Sequence, residues 1–78
     1  MVGRNFIGAN VRIARKRANP PITQLDLAAR LQILGIQLDR VTISKIETGY
    51  REVNDLEVKA LAEALNVSIS WLYGEGRK

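Results

Sequence analysis

The sequence contains no cysteine and no histidine, and it has only two prolines and few aromatic residues. Without cysteine there is no disulfide, no thiolate nucleophile and no cysteine-ligated zinc. Without histidine the commonest metal ligand and the usual general base are also missing. No run approaches the roughly 18 apolar residues of a membrane-spanning helix, and the N-terminal segment lacks the apolar stretch of a signal peptide. We therefore expect a cytoplasmic protein without a metal or a cofactor.

The 78 residues suffice for one domain, and the hydrophobic fraction of 46% suffices for a core, so we expect a single domain over residues 1–78. Met1 and the basic C-terminal end favour a full-length chain. Residues 1–51 carry nine Lys or Arg against three acids, whereas residues 52–78 carry three against five. This division indicates either a face that meets a polyanion or a solubilising surface, and charge alone leaves both open.

Four segments share one pattern of helix initiation. In each, an apolar residue precedes a capping residue, and a second apolar residue follows four positions after the cap. The four capping residues are Thr23, Asp39, Asn54 and Ser68. Asp26 and Glu57 stand at positions where an acidic side chain completes a capping box. One such match would be weak, but four at this spacing predict four short helices.

A first helix is predicted from about Asn5 to Ala18, because Ile7, Val11 and Ala14 share one face and two prolines follow Asn19. The second helix is expected to stack Leu27, Leu31 and Leu34, and the fourth to bury Leu56, Leu61 and Leu65. Glycines end the later helices, at Gly35, Gly49 and Gly74. No segment shows strand alternation, so the expected fold is all-α, a compact unit of five helices.

The third helix, near residues 40–48, is the most informative segment. A step of about 100° per residue turns Ile43 and Ile46 inward and places Glu47 on their flank. The outward and lateral positions carry Arg40, Val41, Thr42, Ser44, Lys45 and Thr48. Arg and Lys donate to guanine, Thr and Ser pair with several bases, and Val contacts the thymine methyl group. The outward face therefore suits the reading of base edges in a major groove.

Three segments, ITQLDLAARL, LDRVTISKIETGYR and LEVKALAEALNVSISWLYGEG, together resemble the Cro/CI-type helix-turn-helix family of bacterial and phage transcriptional regulators. The resemblance extends from about Ile7 to Gly76. It implies a lambda-repressor-like fold in which helices 2 and 3 form the helix-turn-helix and helix 3 reads DNA. The sequence departs from the family between these helices, where a longer link, Gln32 to Gln37, replaces the usual tight turn. That link is able to lengthen helix 2, and it leaves the docking angle of helix 3 open.

The resemblance implies roles for individual residues. Base reading falls to Arg40, Val41, Thr42, Ser44 and Lys45. Contact with DNA phosphates falls to Thr23, Gln24, Thr48, Tyr50 and Arg51. The family also implies a structural ion pair, here between Arg17 at the end of helix 1 and Glu47 in helix 3. Arg12 and Lys16 are expected to be plain solvent charges rather than DNA contacts.

These observations predict a sequence-specific binder of double-stranded DNA, a repressor-like regulator that acts as a homodimer on an inverted repeat. The C-terminal helix is the first candidate for the dimer surface, and Trp71 belongs either there or in the core. Enzymatic activity is not expected, since there is no phosphate loop and no nucleophile with a base. The alternative is a protein-interaction module, such as an antitoxin or adaptor, that binds a toxin or regulator through an exposed apolar set: Ile36, Leu38, Tyr50, Val53 and Trp71.

Overall fold

The computed structural model describes residues 5–75, and these residues form five helices and no strand. The helices are α1 (Gly8–Arg17), α2 (Gln24–Ile33), α3 (Arg40–Glu47), α4 (Asp55–Leu65) and α5 (Ile69–Leu72). The predicted all-α fold of five helices is confirmed. Met1 and Gly76, which entered the sequence predictions, lie outside the described residues.

All four predicted helix starts are confirmed by a capping hydrogen bond. The side-chain oxygens of Thr23, Asp39, Asn54 and Ser68 each accept a backbone N–H from the first turn of the helix that follows. Asp26 and Glu57 complete the two capping boxes by accepting the backbone N–H of the capping residue. Because a first turn leaves its backbone amides without helical partners, these local side chains determine where α2 to α5 begin.

The start of α1 differs from the prediction, since the helix begins at Gly8 rather than near Asn5. The reason is that Asn5 caps the helix from outside it, with its Oδ1 accepting the N–H of Gly8. The Nδ2 of Asn5 also donates to the carbonyl oxygens of Ile46, at 2.9 Å, and Arg51, at 2.8 Å. A Cβ at position 8 would overlap the Ile46 carbonyl oxygen. Glycine therefore allows the start of α1 to lie directly against the end of α3.

The core lies around α4, which contacts α1, α2 and α5. Its most deeply buried side chains come from all five helices and include Val11, Leu27, Leu31, Ile43, Ile46, Leu61 and Leu72. The prediction that Leu56 is buried is wrong, because this side chain is 68% exposed. Val58, Leu61 and Leu65 define the buried face of α4, and a step of about 100° per residue places Leu56 on the opposite face.

The link between α2 and α3 comprises residues 34–39. Leu34, which was predicted to be buried, is 41% exposed because α2 ends at Ile33 and the chain turns through Gly35, where φ is +85°. Ile36 takes its place against the core, and its N–H donates to the Leu31 carbonyl at 2.9 Å. Leu38 is also buried. Part of the extra length thus extends α2, and the remainder is fixed by apolar side chains that hold the start of α3.

Candidate DNA-binding surface

The outward face of α3 is polar and its inward face is apolar. Ile43 and Ile46 are fully buried. The residues predicted to point away are exposed or half-buried: Arg40, Val41, Thr42, Ser44, Lys45 and Thr48. The helical phase predicted from the sequence is therefore confirmed. Among residues 5–75, neither Arg40 nor Lys45 has a carboxylate within ion-pair distance, so both present an unneutralised charge to solvent.

Asp39 fixes the start of this helix. Its Oδ1 accepts the backbone N–H of Thr42 at 2.8 Å. Hydrogen bonds from the backbone and side chain of Thr42 lower the pKa of Asp39, with smaller contributions from the charges of Lys45 and Arg40. The carboxylate therefore stays ionised at the positive end of the helix dipole, where a negative charge is stabilising.

Glu47, the last residue of α3, is buried, and its partner is Arg15 of α1. The Nε of Arg15 donates to Oε2 of Glu47 at 2.8 Å, and Nη2 donates to Oε1 at 2.9 Å. Nη1 of Arg15 donates to the carbonyl oxygen of Ile22 at 3.1 Å. The guanidinium thus joins α1, α3 and the segment before α2 through a planar fork that suits a carboxylate.

The predicted pair between Arg17 and Glu47 is therefore wrong, and helical phase explains the difference. Arg15 lies about 40° from the fully buried Val11 around the axis of α1, on the side of α3. Arg17 lies about 120° away in the other direction. There its guanidinium carbon is 5.9 Å from the centroid of the Trp71 ring. The phase of α1 therefore indicates Arg15 as the partner of Glu47, whereas the resemblance to the family favoured Arg17.

Gln24, the first residue of α2, also contacts Glu47. Its Nε2 donates to Oε1 of Glu47 at 3.2 Å. The same carboxylate thus accepts hydrogen bonds from α1, through Arg15, and from α2, through Gln24. This arrangement holds the Gln24 amide at the junction of the three helices, next to the capping residue Thr23.

An open cleft lies where α1, the start of α2 and α3 meet. Four cations line it, namely Arg12, Arg15, Lys16 and Arg40, against the carboxylate of Glu47, so the lining has a net charge of +3. Hydroxyl and amide groups complete the polar lining: Thr23, Gln24, Ser44 and Thr48. Because Arg15 and Glu47 neutralise each other, the excess charge comes from Arg12, Lys16 and Arg40. Such a lining attracts anions.

The loop after α3 contains the remaining predicted contacts. Tyr50 is 62% exposed. The guanidinium of Arg51 forms two hydrogen bonds to the Glu57 carboxylate, at 2.9 and 3.0 Å, and a third to the Glu52 carbonyl. The hydrogen bonds with Arg51 lower the pKa of Glu57 and raise that of Arg51. Arg51 is half-buried, and Glu57 neutralises its charge, whereas Arg40 and Lys45 are exposed and form no ion pair within residues 5–75.

A comparison with known families connects this geometry to a class of protein. The model of a helix-turn-helix family matches residues 12–72, which extend from α1 to the end of α5. The chain belongs to the Cro/CI-type helix-turn-helix family. Members of this family are DNA-binding domains and typically have no enzymatic activity. No curated protein and no solved structure matches the chain.

Most of the apolar set predicted to bind a protein partner points inward in this helix-turn-helix domain. Leu38 is buried, and Ile36, Val53 and Trp71 are half-buried against the core. Tyr50 is the one member of the set that is exposed. Trp71 was expected either in the core or at a dimer surface, and its half-buried side chain packs against the core. The residues that the prediction joined into one surface are thus mainly structural.

No helix within residues 5–75 is long and apolar enough to cross a membrane. The same part of the chain brings together no group of three or more acidic side chains that could hold a metal ion.

Proposed function

We propose that this helix-turn-helix domain reads specific sequences in double-stranded DNA and regulates transcription, as a single domain over residues 1–78. In this proposal α3 enters the major groove and α2 crosses the phosphate backbone. The observation that carries it is the outward face of α3, where Arg40 and Lys45 are exposed and unpaired within residues 5–75. Arg40, Val41, Thr42, Ser44 and Lys45 supply the donors, acceptors and methyl contact that base edges require.

We propose that Thr23, Gln24, Thr48, Tyr50 and Arg51 contact DNA phosphates on either side of α3. The support for Gln24 is its fixed position, since the bond to Glu47 uses one N–H of the amide and leaves the other. Arg51 makes three hydrogen bonds within the domain. A guanidinium has about five N–H groups, so Arg51 retains donors for a phosphate while its bond to Glu57 orients the loop.

We propose that the protein acts as a homodimer on an inverted repeat, with the two reading helices about 34 Å apart. Exposed apolar side chains at the C-terminal end favour that region as the dimer surface. Ile69 is 46% exposed and Tyr73 is 41% exposed. The Tyr73 ring stacks on Phe6, which is 76% exposed, with 6.1 Å between the ring centroids. A second copy would cover these three side chains.

The test is a selection of randomised DNA duplexes by the purified protein, followed by a salt titration of the enriched duplex using fluorescence anisotropy. We expect an enriched inverted repeat and an affinity that falls steeply as salt rises, because counterions released from phosphates drive binding. Failure to enrich any sequence, with no salt-dependent binding, would contradict the proposal. That result would favour a protein-interaction module with a toxin or regulator as partner.

Two alanine variants test the roles of the helices separately. Lys45→Ala should relax the preference for one base position and cost about 1–3 kcal/mol of binding free energy on the selected site. Gln24→Ala should weaken binding to all sequences alike, because phosphate contacts carry no sequence information. Uniform weakening by Lys45→Ala, or altered sequence preference in Gln24→Ala, would contradict the assigned roles. Both are measured by anisotropy against a panel of single-base variants of the site.

A further inference from the structure

Two exposed cations of α1 line the same cleft as residues that we propose to contact DNA. Arg12 and Lys16 stand one helical turn apart, so their side chains share a face of α1. Both line the cleft together with Gln24 of α2 and Arg40 of α3. Within residues 5–75 neither forms an ion pair. Three helices thus direct polar or cationic groups to one open space.

The neighbouring ion pair leaves these cations without a local counter-charge. Glu47 is the one carboxylate among the residues that line the cleft, and it is bound to Arg15. Like charges four residues apart on a helix repel each other. Lys16 lies in the last turn of α1, where the helix dipole favours a cation, but Arg12 lies in the middle of the helix without that compensation. An anion in the cleft would relieve the repulsion.

The predicted phosphate contacts also lack charge of their own. Thr23, Gln24, Thr48 and Tyr50 are uncharged, and the charge of Arg51 is neutralised by Glu57. Binding that depends on counterion release requires cations at the phosphates. Among the residues that line the cleft, α1 is the one source of unpaired cations besides α3.

We infer that Arg12 and Lys16 bind the DNA backbone at the phosphate seated in this cleft, together with Gln24 and Arg40. The inference rests on the proposed function and adds α1 as a third element of the interface. The guanidinium of Arg12 offers a planar fork of donors to two phosphate oxygens, and the ammonium of Lys16 acts as a point charge. Because both residues contact a phosphate rather than a base edge in this proposal, they contribute affinity and no sequence preference.

The experiment measures how the affinity of the full chain for its selected duplex depends on salt. Arg12→Gln and Lys16→Gln each remove one charge and keep a long, helix-compatible side chain. Lys59→Gln is the matched control, because Lys59 is an exposed cation on α4 that does not line the cleft. Each α1 variant should reduce the slope of log affinity against log salt by up to about 0.9, the value for one phosphate contact. Lys59→Gln should leave the slope unchanged.

Conservative exchanges and sequence selection complete the test. Arg12→Lys and Lys16→Arg keep the charge and should restore the wild-type slope. The double variant Arg12→Gln/Lys16→Gln should select the same sequence as the wild type and show the same circular dichroism spectrum, since both side chains are exposed. Slopes equal to that of Lys59→Gln would overturn the inference while leaving the proposed function intact. A changed sequence preference would also overturn it, whereas a wild type without salt-dependent binding would overturn both proposals.

Discussion

Two arginine–glutamate pairs of the same chemistry occupy different environments in this domain. Arg15 and Glu47 join α1 to α3, and their side chains are only 11% and 3% exposed. Arg51 and Glu57 join the loop after α3 to the start of α4, with side chains 35% and 10% exposed. In both pairs the guanidinium donates two hydrogen bonds to the carboxylate. The two pairs differ mainly in how much of the arginine side chain is exposed to water.

Burial determines what each pair contributes. When both charges have been removed from water, the loss of one leaves the other buried and uncompensated, which is strongly destabilising. When one partner keeps contact with water, solvent screens the interaction and its contribution is small. We infer that the first pair maintains the arrangement of the helices, whereas the second positions a loop on a domain that folds without it.

The largest expected effect comes from Glu47→Ala. This change leaves the Arg15 guanidinium buried without its carboxylate and should lower the free energy of unfolding by about 3–5 kcal/mol. Urea unfolding at neutral pH, followed by circular dichroism, measures the loss. A loss below about 1 kcal/mol, typical of a surface pair, would remove the distinction between the two pairs.

A double variant sharpens this prediction. Arg15→Met combined with Glu47→Leu removes both charges and should recover much of the lost stability, because apolar residues of similar volume often replace a buried pair without loss. The amide of Gln24 then lacks its acceptor, so DNA affinity should stay below the wild-type value even though the fold recovers. A double variant as unstable as Glu47→Ala would contradict the role given to burial.

Arg51→Ala should have a smaller effect, a loss of about 1 kcal/mol in the free energy of unfolding. Glu57 retains the backbone N–H of Asn54 as a hydrogen-bond donor, which limits the cost to the carboxylate. The loss is measured by urea unfolding under the same conditions. A loss as large as that of Glu47→Ala would contradict the smaller contribution that we assign to the exposed pair.

The smallest effect is a pH dependence associated with Glu57. Hydrogen bonds from Arg51, and then from Asn54, lower the pKa of this carboxyl in the folded state. A carboxyl of this kind stabilises the fold above its unfolded pKa of about 4.3, and loses that contribution as the pH falls through its lower folded pKa. The stability difference between the wild type and Glu57→Gln should therefore be constant near neutral pH and shrink at acidic pH. Asp26 and Asp39 titrate in both proteins and cancel in this difference.

Local interactions explain which features the sequence could predict. The four caps and the phase of α3 were predictable because each depends on residues within a few positions of one another. The exposed Leu56 was not, since α4 has apolar residues on nearly every face and its orientation depends on the helices around it. The bonds from Asn5 to Ile46 and Arg51 span 41 and 46 residues, and no local pattern indicates them.

The candidate site divides in the same way. The outward residues of α3 follow from its period, whereas the cleft depends on how α1 lies against α2 and α3. The segment that sets this angle, residues 18–23, contains Pro20 and Pro21 and places Ile22 in the core. The charge pattern of α1 favours plain solvent charges at Arg12 and Lys16, and only the packing of the helices places both residues on the cleft. The position of Arg15 towards α3, in contrast, could be predicted from its phase relative to Val11.

The close contact at Gly8 has a consequence for how this protein can diverge. Any other residue there would place a Cβ on the Ile46 carbonyl oxygen, so α1 would have to move away from α3. Such a shift would pull Arg15 from Glu47 and widen the cleft at the same time. Under selection for DNA binding alone, position 8 should therefore vary as little as the residues of α3 that we propose to read bases. A saturation library at this codon should return glycine, although the residue lies outside the proposed contacts with DNA.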